Sequence, residues 1–119
     1  MAENEGIRTF TASGAVTAHA RVKITSASST TPPQVELAGL GEQHVGIAEY
    51  AAADGELVSV RIRNYSGTVE AIAASSVAVG AALYGASGGK VASTSSGTTI
   101  GFAVEQATAN GDIIEIVQY

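Results

Sequence analysis

One segment of the chain occurs twice, and this repeat constrains the fold more than any other feature. The first copy runs from Gly46 to Arg61 (GIAEYAAADGELVSVR) and the second from Gly101 to Val117 (GFAVEQATANGDIIEIV). Each copy combines a short apolar strand, a run of small residues, an Asp-Gly or Asn-Gly turn and a β-branched strand. The identical pairs are Gly46 and Gly101, Ala48 and Ala103, Ala52 and Ala107, and Gly55 and Gly111. Two copies of one strand-turn-strand unit predict a fold with internal pseudo-symmetry.

The residue types around the repeat favour an all-β protein. Isoleucine and valine number 21 against 4 leucines, and β-branched side chains suit a pleated sheet better than a helix. Turn signals recur about every 8 to 12 residues, which is typical of a barrel or a sandwich. A chain of 119 residues is one domain by length.

Small side chains make up about half of the chain, with 22 Ala, 14 Gly, 12 Ser and 11 Thr. They bury little apolar area each, so a lone monomer has a thin margin over the entropy of ordering its backbone. Contact with further copies or with a larger surface adds the missing stability. We therefore expect association with copies of itself or with a larger surface.

Charge and hydropathy exclude several classes of partner. The net charge is −5 with only six Lys and Arg, which argues against nucleic acid. The chain has no cysteine for disulfides or thiolate metal sites, no run of 18 apolar residues, and an acidic polar N-terminus unlike a signal peptide. We expect a soluble protein that is not exported by a classical signal, with no membrane and no cofactor among its partners.

The first half of the chain predicts an arm, a basic strand and a protruding loop. Residues 1–12 are expected to form an N-terminal arm and first strand, and residues 13–119 a single β domain. From residue 18 to residue 25, alternation places Ala20, Val22 and Ile24 inward and His19, Arg21 and Lys23 on a basic outer face. Residues 26–33, SASSTTPP, form an exposed loop long enough to touch a partner.

The two repeat copies end in strands with different outer faces. In the first, Val58 and Val60 point inward while Arg61 and Arg63 point outward and are either solvated or facing a partner. In the second, Ile114 and Ile116 point inward, and the outer face carries Ile113, Val117 and Tyr119. That second outer face is a candidate contact surface.

No motif indicates catalysis. His19 and His44 are the only histidines, and they lack metal-ligand spacing, with Glu42 and Glu49 the nearest carboxylates in sequence. There is no GxSxG elbow, and the glycine-rich segments do not open helices as phosphate loops must. Lipoyl and biotinyl carrier domains also present a lysine on a tight hairpin, but an acidic residue or a methionine flanks it there, whereas Lys90 follows two glycines. An enzyme using His44 and Glu49 is a third hypothesis.

The C-terminal half, VAVGAALYGASGGKVASTSSGTTIGFAVEQATANGDIIEIVQY, resembles the small capsid decoration, or cement, proteins of tailed bacteriophages. The positions that carry the pattern are Val79, Gly80, Leu83, Tyr84, Gly89, Lys90, Val91, Ile100, Gly101, Ala103, Ala107, Gly111, Asp112, Ile114 and Ile116. The segments VKITSAS, VELAG and GIAEYAAADGELVSVRI extend the resemblance over roughly residues 10 to 119. These motifs are structural, being glycines and β-branched residues.

The resemblance implies a small antiparallel β-barrel or β-tulip-like domain that trimerises on the outside of a phage capsid and contacts the major capsid protein. It also implies an arm that reaches a neighbour, and a protein made in the host cytoplasm and carried on the virion. The alternative is a β-module of a phage tail or cell-surface fibre. Residues expected to contact the capsid or another subunit are Ile7, Arg8, Phe10, Pro32, Pro33, Arg61, Arg63, Ile113, Val117 and Tyr119.

Overall fold

Ten strands in two sheets form the fold of a computed structural model that describes residues 7–25, 33–63 and 67–119. The first five strands close into a barrel in the order β1-β3-β2-β4-β5: β1 (Ile7–Ala12), β2 (Arg21–Ile24), β3 (Gln34–Leu37), β4 (Gly46–Ala48) and β5 (Leu57–Ile62). The next five form a sheet in the order β6-β10-β9-β7-β8: β6 (Val69–Ile72), β7 (Ala82–Gly85), β8 (Val91–Ala92), β9 (Gly101–Ala103) and β10 (Ile113–Gln118). The described residues contain no α-helix, and the all-β prediction is confirmed.

The second sheet curls into the same barrel but is less closed. In the first barrel, β1 and β3 pair in parallel, with Ala12 opposite Val35. The matching edges of the second sheet meet at one parallel bridge, between Ala73 and Val91. We call residues 7–63 the first barrel and residues 67–119 the second barrel.

The pseudo-symmetry extends well beyond the repeated segment. Val16 bridges Ala52 in the first barrel, and Val77 bridges Ala107 in the second. The same main-chain hydrogen bond joins Gly55 N to Ala12 O and Gly111 N to Ala73 O, both at 2.8 Å. Residues 12–22 thus correspond to residues 73–83, ahead of the repeat itself. The predicted internal repeat is confirmed and is longer than the sequence showed.

Each barrel has its own apolar core, and the predicted inward residues of the two repeat strands lie in them. Val58 and Val60 are 3% and 0% exposed in the first core, and Ile114 and Ile116 are 2% and 0% exposed in the second. Burying one such side chain contributes about 1.5 to 3 kcal/mol. The remaining large residues of the cores are Phe10, Val16, Val22 and Val35 in the first, and Val77, Leu83, Val91 and Ile100 in the second.

The Asp-Gly and Asn-Gly turns are tied down by the carboxylate that follows them. Gly55 and Gly111 have φ of 86° and 98°, so the glycine at each turn supplies the left-handed residue. Glu56 Oε1 accepts the Ala53 N–H at 2.8 Å, and Asp112 Oδ2 accepts the equivalent Ala109 N–H at 3.1 Å. Hydrogen bonds from Thr108 and Ala109 hold the pKa of Asp112 below its usual value. The two turns are therefore the same device used twice.

Strand β2 departs from the predicted alternation at two positions. Ile24, expected inward, is 49% exposed because β2 ends there, at the rim of the barrel. Arg21, expected on a solvated basic face, is completely buried. The second correction has a large consequence, because the second barrel covers the face on which Arg21 lies.

Candidate interaction surfaces

Arg21 is the centre of the junction between the two barrels. Its Nε donates to Lys90 O at 2.8 Å, which ties β2 to the second barrel. Burial lowers the pKa of Arg21 to about 10, so it stays protonated at neutral pH. The guanidinium also donates to four more carbonyls, from both sides of the junction: Ala38, Gly39, Glu42 and Ala86. A single buried cation thus joins carbonyl groups of both barrels through charge-assisted hydrogen bonds.

Apolar packing and a second polar contact complete the junction. Ile47 projects from the outside of β4, is 0% exposed, and packs in the core cluster of the second barrel. His44 Nε2 lies 3.2 Å from Gln118 Oε1, and Gln118 Nε2 donates to Arg61 O at 3.2 Å. Burial, helped by the nearby charges of Arg63 and Arg21, lowers the pKa of His44 to about 3. This histidine is a neutral structural side chain at neutral pH.

The predicted outward arginines are engaged within the molecule. Arg61 Nη2 forms an ion pair of 2.7 Å with Glu49, each side chain being 21% exposed. Arg63 donates to Gln43 Oε1 at 2.9 Å and to the main-chain oxygen of Tyr119 at 2.7 Å. Both arginines are half-buried. Any capsid contact by either one remains a prediction, and it has to be made alongside these partners.

The predicted contacts of the N-terminal half fall in three different settings. Phe10 is 1% exposed in the first core, so the expectation of a surface contact there is corrected: it points inward with Val58. Arg8 is exposed, with its guanidinium carbon 5.4 Å from the centroid of the Phe10 ring, while Ile7 and Pro33 are half-buried. Pro32 lies outside the described residues.

The structure brings the three predicted apolar contacts of the last strand to one outer face. Ile113 is 49% exposed, Val117 is half-buried and Tyr119 is 52% exposed. Phe102, from the neighbouring strand β9, is 40% exposed and its ring centroid is 6.5 Å from that of Tyr119. We call Ala82, Phe102, Val104, Ile113, Val117 and Tyr119 the outer apolar face.

The sequence analysis did not single out Phe102 or Val104. The available signal was the repeat itself, in which Phe102 matches Ile47. An aromatic residue at an outward strand position beside Val117 predicts an apolar surface.

A groove between the barrels is lined by several titratable side chains. It has a volume of about 330 Å³ and includes His19, Glu49, Tyr50, Glu70 and Glu115 in its lining. His19 Nε2 lies 3.8 Å from Glu70, and Glu115 accepts a hydrogen bond from the Thr68 hydroxyl at 2.7 Å. No group of three potential metal ligands exists among the described residues. The groove is thus lined by side chains held in ion pairs and hydrogen bonds.

Two alternative functions were drawn from individual residues: an enzyme using His44 and Glu49, and a carrier-type lysine at Lys90. His44 is bonded to Gln118 at the junction, whereas Glu49 is paired with Arg61 in the groove, so they do not form one acid-base pair. Lys90 Nζ donates to Asn110 Oδ1 at 2.9 Å, and its carbonyl holds Arg21. It therefore has a structural position at the junction.

A family model described as phage cement protein matches residues 1–118. The chain belongs to the phage cement protein family. It is accordingly a structural protein associated with the phage capsid, and not an enzyme.

Among solved structures, the fold is similar to the crystal structure of the N base of the head fiber gp8.5 of bacteriophage phi29. The TM-score is 0.79 at 22% identity, over 95% of this chain and 92% of that chain. At this identity the match shows a shared fold. A comparison with curated proteins found no match. Among the described residues, no helix has the length and apolarity needed to span a membrane.

Proposed function

We propose that this protein decorates the outer surface of a phage capsid and stabilises the shell, with three copies at each three-fold or quasi-three-fold position. The observation that carries the proposal is the match of residues 1–118 to the cement protein family. The major capsid protein is its partner, and the protein is made in the host cytoplasm before joining the virion.

Stabilisation follows from binding that depends on the state of the shell. A protein that bridges neighbouring capsid subunits only in the expanded shell adds its binding free energy to that state alone. Three linked copies also bind with high effective concentration, which raises avidity by roughly 10²–10⁴-fold over a single contact. Weak individual contacts are then sufficient to resist disruption by internal pressure.

The contact residues of this proposal lie at opposite parts of the molecule. Ile7, Arg8 and Pro33 belong to the first barrel, whereas Ile113, Val117 and Tyr119 belong to the outer face of the second. Pro32, also expected to make contact, lies outside the described residues. The outer face of the second barrel serves neighbouring copies, and the first barrel provides contacts both to a neighbouring copy and to the capsid. Arg61 and Arg63 sit between them at the junction.

The test compares phage particles with and without the protein. Particles that lack it are expected to rupture at a lower temperature and to be more sensitive to chelators, and added purified protein should restore their resistance. A mock addition with heat-denatured protein is the control. Equal resistance of bare and decorated particles contradicts the clamping role.

A second candidate is a module of a phage tail or cell-surface fibre, and the fold match to a head fiber base is the observation that a similar fold occurs in a fibre protein. In that case the barrels anchor a fibre at a phage tail or cell surface. Gold-labelled protein in electron micrographs separates the two: labelling over the capsid supports decoration, and labelling confined to tails or fibres supports the alternative.

A further inference from the structure

Outward side chains on β2, β4 and β5 of the first barrel form a straight row. Arg21 lies opposite Ile47, and Ile47 lies opposite Arg61, across the three strands. The second barrel covers this row: Arg21 and Ile47 are 0% exposed. The side chain of Arg61 is 21% exposed.

The second barrel carries the same row in the same register, and there it is uncovered. Ala82 lies opposite Phe102, and Phe102 lies opposite Val117. Ala82 is exposed, Phe102 is 40% exposed and Val117 is half-buried. The row that is an interface in one barrel is therefore an exposed apolar surface in the other.

The contact between the barrels is head to tail. Arg21 of the first barrel meets Gly85 of the second, since a Cβ on Gly85 would lie 2.6 Å from Arg21 Nη1. The equivalents of these two residues are Ala82 and Ile24, and both are exposed. In a two-fold arrangement this second pair would be in contact too, so the barrels use two different surfaces on each other.

Other contacts show where the relating axis passes. Arg63 donates to the main-chain oxygen of its own equivalent, Tyr119, at 2.7 Å. A Cβ on Gly97 would lie 2.6 Å from the carbonyl oxygen of Gly41, at the matching position of the other loop. Equivalent residues that touch mark a rotation axis nearby. A head-to-tail contact can be repeated by further copies, and it forms a ring where its rotation closes.

We propose that the outer apolar face of one copy docks on the first barrel of a second copy, head to tail, around Ile24 and strand β1. The junction within the chain is the template: Ala82 takes the place of Arg21 and Ile24 takes the place of Gly85. A large side chain then faces a small one in both interfaces, with the sizes exchanged. The inference rests on the proposed function for the number of copies only, which makes a ring of six barrels from three chains.

The second barrel receives the junction within the chain, and the first barrel receives the docked copy. These two surfaces differ in a way that fits the exchange of large and small side chains. The second barrel is splayed between β6 and β8, and Ile47 packs into its core. The first barrel is closed at the matching place by the parallel pairs of β1 and β3. The ring of Phe102 accordingly lies on that closed seam, and Ile24, 49% exposed at the rim, fills the space next to Ala82.

A cysteine pair tests the docking, because the chain contains no cysteine of its own. The double variant Ala82→Cys with Ile24→Cys is oxidised both free in solution and on expanded capsids, then run on a non-reducing gel. We expect disulfide-linked dimers and trimers. The control pair, Val79→Cys with Ile24→Cys, should stay monomeric, since Val79 is exposed at 65% but is not part of the outer apolar face.

Two outcomes overturn the docking. One is the absence of linked species from the double variant in both settings. The other is efficient dimer formation by Ala82→Cys alone, which indicates a face-to-face dimer. Capsid binding without the cross-link leaves the proposed function intact and removes this inference, whereas the cross-link without capsid binding does the reverse.

A charge substitution gives a second readout that does not need a disulfide. Phe102→Asp is expected to weaken self-association at least tenfold by light scattering while leaving the melting curve of the monomer unchanged, because Phe102 is outside the core cluster. Val79→Asp, at a position 65% exposed, is the matched control. Equal association of the two variants contradicts the proposed face.

Discussion

The two barrels share one strand register and differ in what covers their outer rows. In the first barrel the row of Arg21, Ile47 and Arg61 has become the inside of the molecule, and its polar members are held by carbonyls and by Glu49. In the second barrel the matching row has remained a surface and is apolar. A duplicated unit thus needs only a few outward substitutions to turn one face into a junction and to leave its twin as a contact surface.

The difference in closure has the same origin. The first barrel closes through β1 and β3, with Thr11 opposite Gln34 and Ala12 opposite Val35. The second barrel has one bridge at that place because Ile47 joins its core. The second barrel is therefore less closed, and the side chain of Ile47 links it to the first barrel.

The largest effect is expected from removing the junction cation. Arg21→Ala removes a buried charged donor that five carbonyls share, and the loss of these hydrogen bonds costs about 3 to 5 kcal/mol in total. Denaturant unfolding measures the loss. Lys23→Ala, two residues along the same strand but at a solvated ion pair, should change stability little. Equal effects of the two substitutions would contradict the role given to Arg21.

The next largest effect is expected from substituting two equivalent glycines, one in each barrel, which should destabilise the protein equally. A Cβ on Gly46 would overlap the main-chain oxygen of Arg61, and one on Gly101 would overlap that of Val117. Forcing a methyl group against backbone costs about 2 to 3 kcal/mol. Gly46→Ala and Gly101→Ala are therefore expected to lower the unfolding free energy by similar amounts. A large loss in one barrel and none in the other breaks the equivalence.

Between pH 5 and pH 7, the free energy of unfolding should depend on pH through the junction histidine, His44. The pKa of His44 is about 3 in the folded protein, below its ordinary value of 6.5. The stability it supports is complete above pH 6.5 and is lost as the pH falls toward 3, with about 2 kcal/mol gone between pH 7 and pH 5. Unfolding measured across that range should show the slope, and His44→Gln should flatten it.

The control for the pH effect is a comparison of His44→Gln with the unchanged protein at each pH. The lowered pKa values of Glu42 and Asp112 change the stability only near and below the ordinary carboxyl pKa of about 4, which lies outside this range. A slope that survives His44→Gln between pH 5 and pH 7 contradicts the assignment.

The smallest expected effect compares one turn in its two versions. His19 has φ of 67° at the position where the second barrel has Gly80, with φ of 83°. A left-handed conformation costs a residue with a Cβ about 1 kcal/mol. His19→Gly is expected to be neutral or slightly stabilising, and Gly80→Ala to destabilise by about 1 kcal/mol, since no atom lies near its added methyl. Thermal melts resolve the pair.

The sequence predicted the features that depend on local pattern. Alternation identified the inward residues Val58, Val60, Ile114 and Ile116, and the repeat identified the pseudo-symmetry. The apolar outer face was found through Ile113, Val117 and Tyr119, because three apolar residues on the wet side of a strand are unusual for a half-buried strand.

The junction could not be predicted in the same way. Alternation places Arg21 on the outside of its strand, but it does not say that another barrel covers that side. The earlier part of the repeat was also hidden, because its matches, such as Ala12 with Ala73 and Val16 with Val77, are common residues in an alanine-rich chain. Only the matching bridges and hydrogen bonds show that these positions are equivalent.

Capsid decoration with head-to-tail docking is tested most directly by an electron cryo-microscopy reconstruction of expanded capsids that carry this protein, at a resolution that shows side chains. We expect copies on the outer surface around three-fold positions, with Phe102 of each copy covered by the first barrel of its neighbour near Ile24. Copies whose outer apolar face is open to solvent, or packed against the same face of a neighbour, would contradict it.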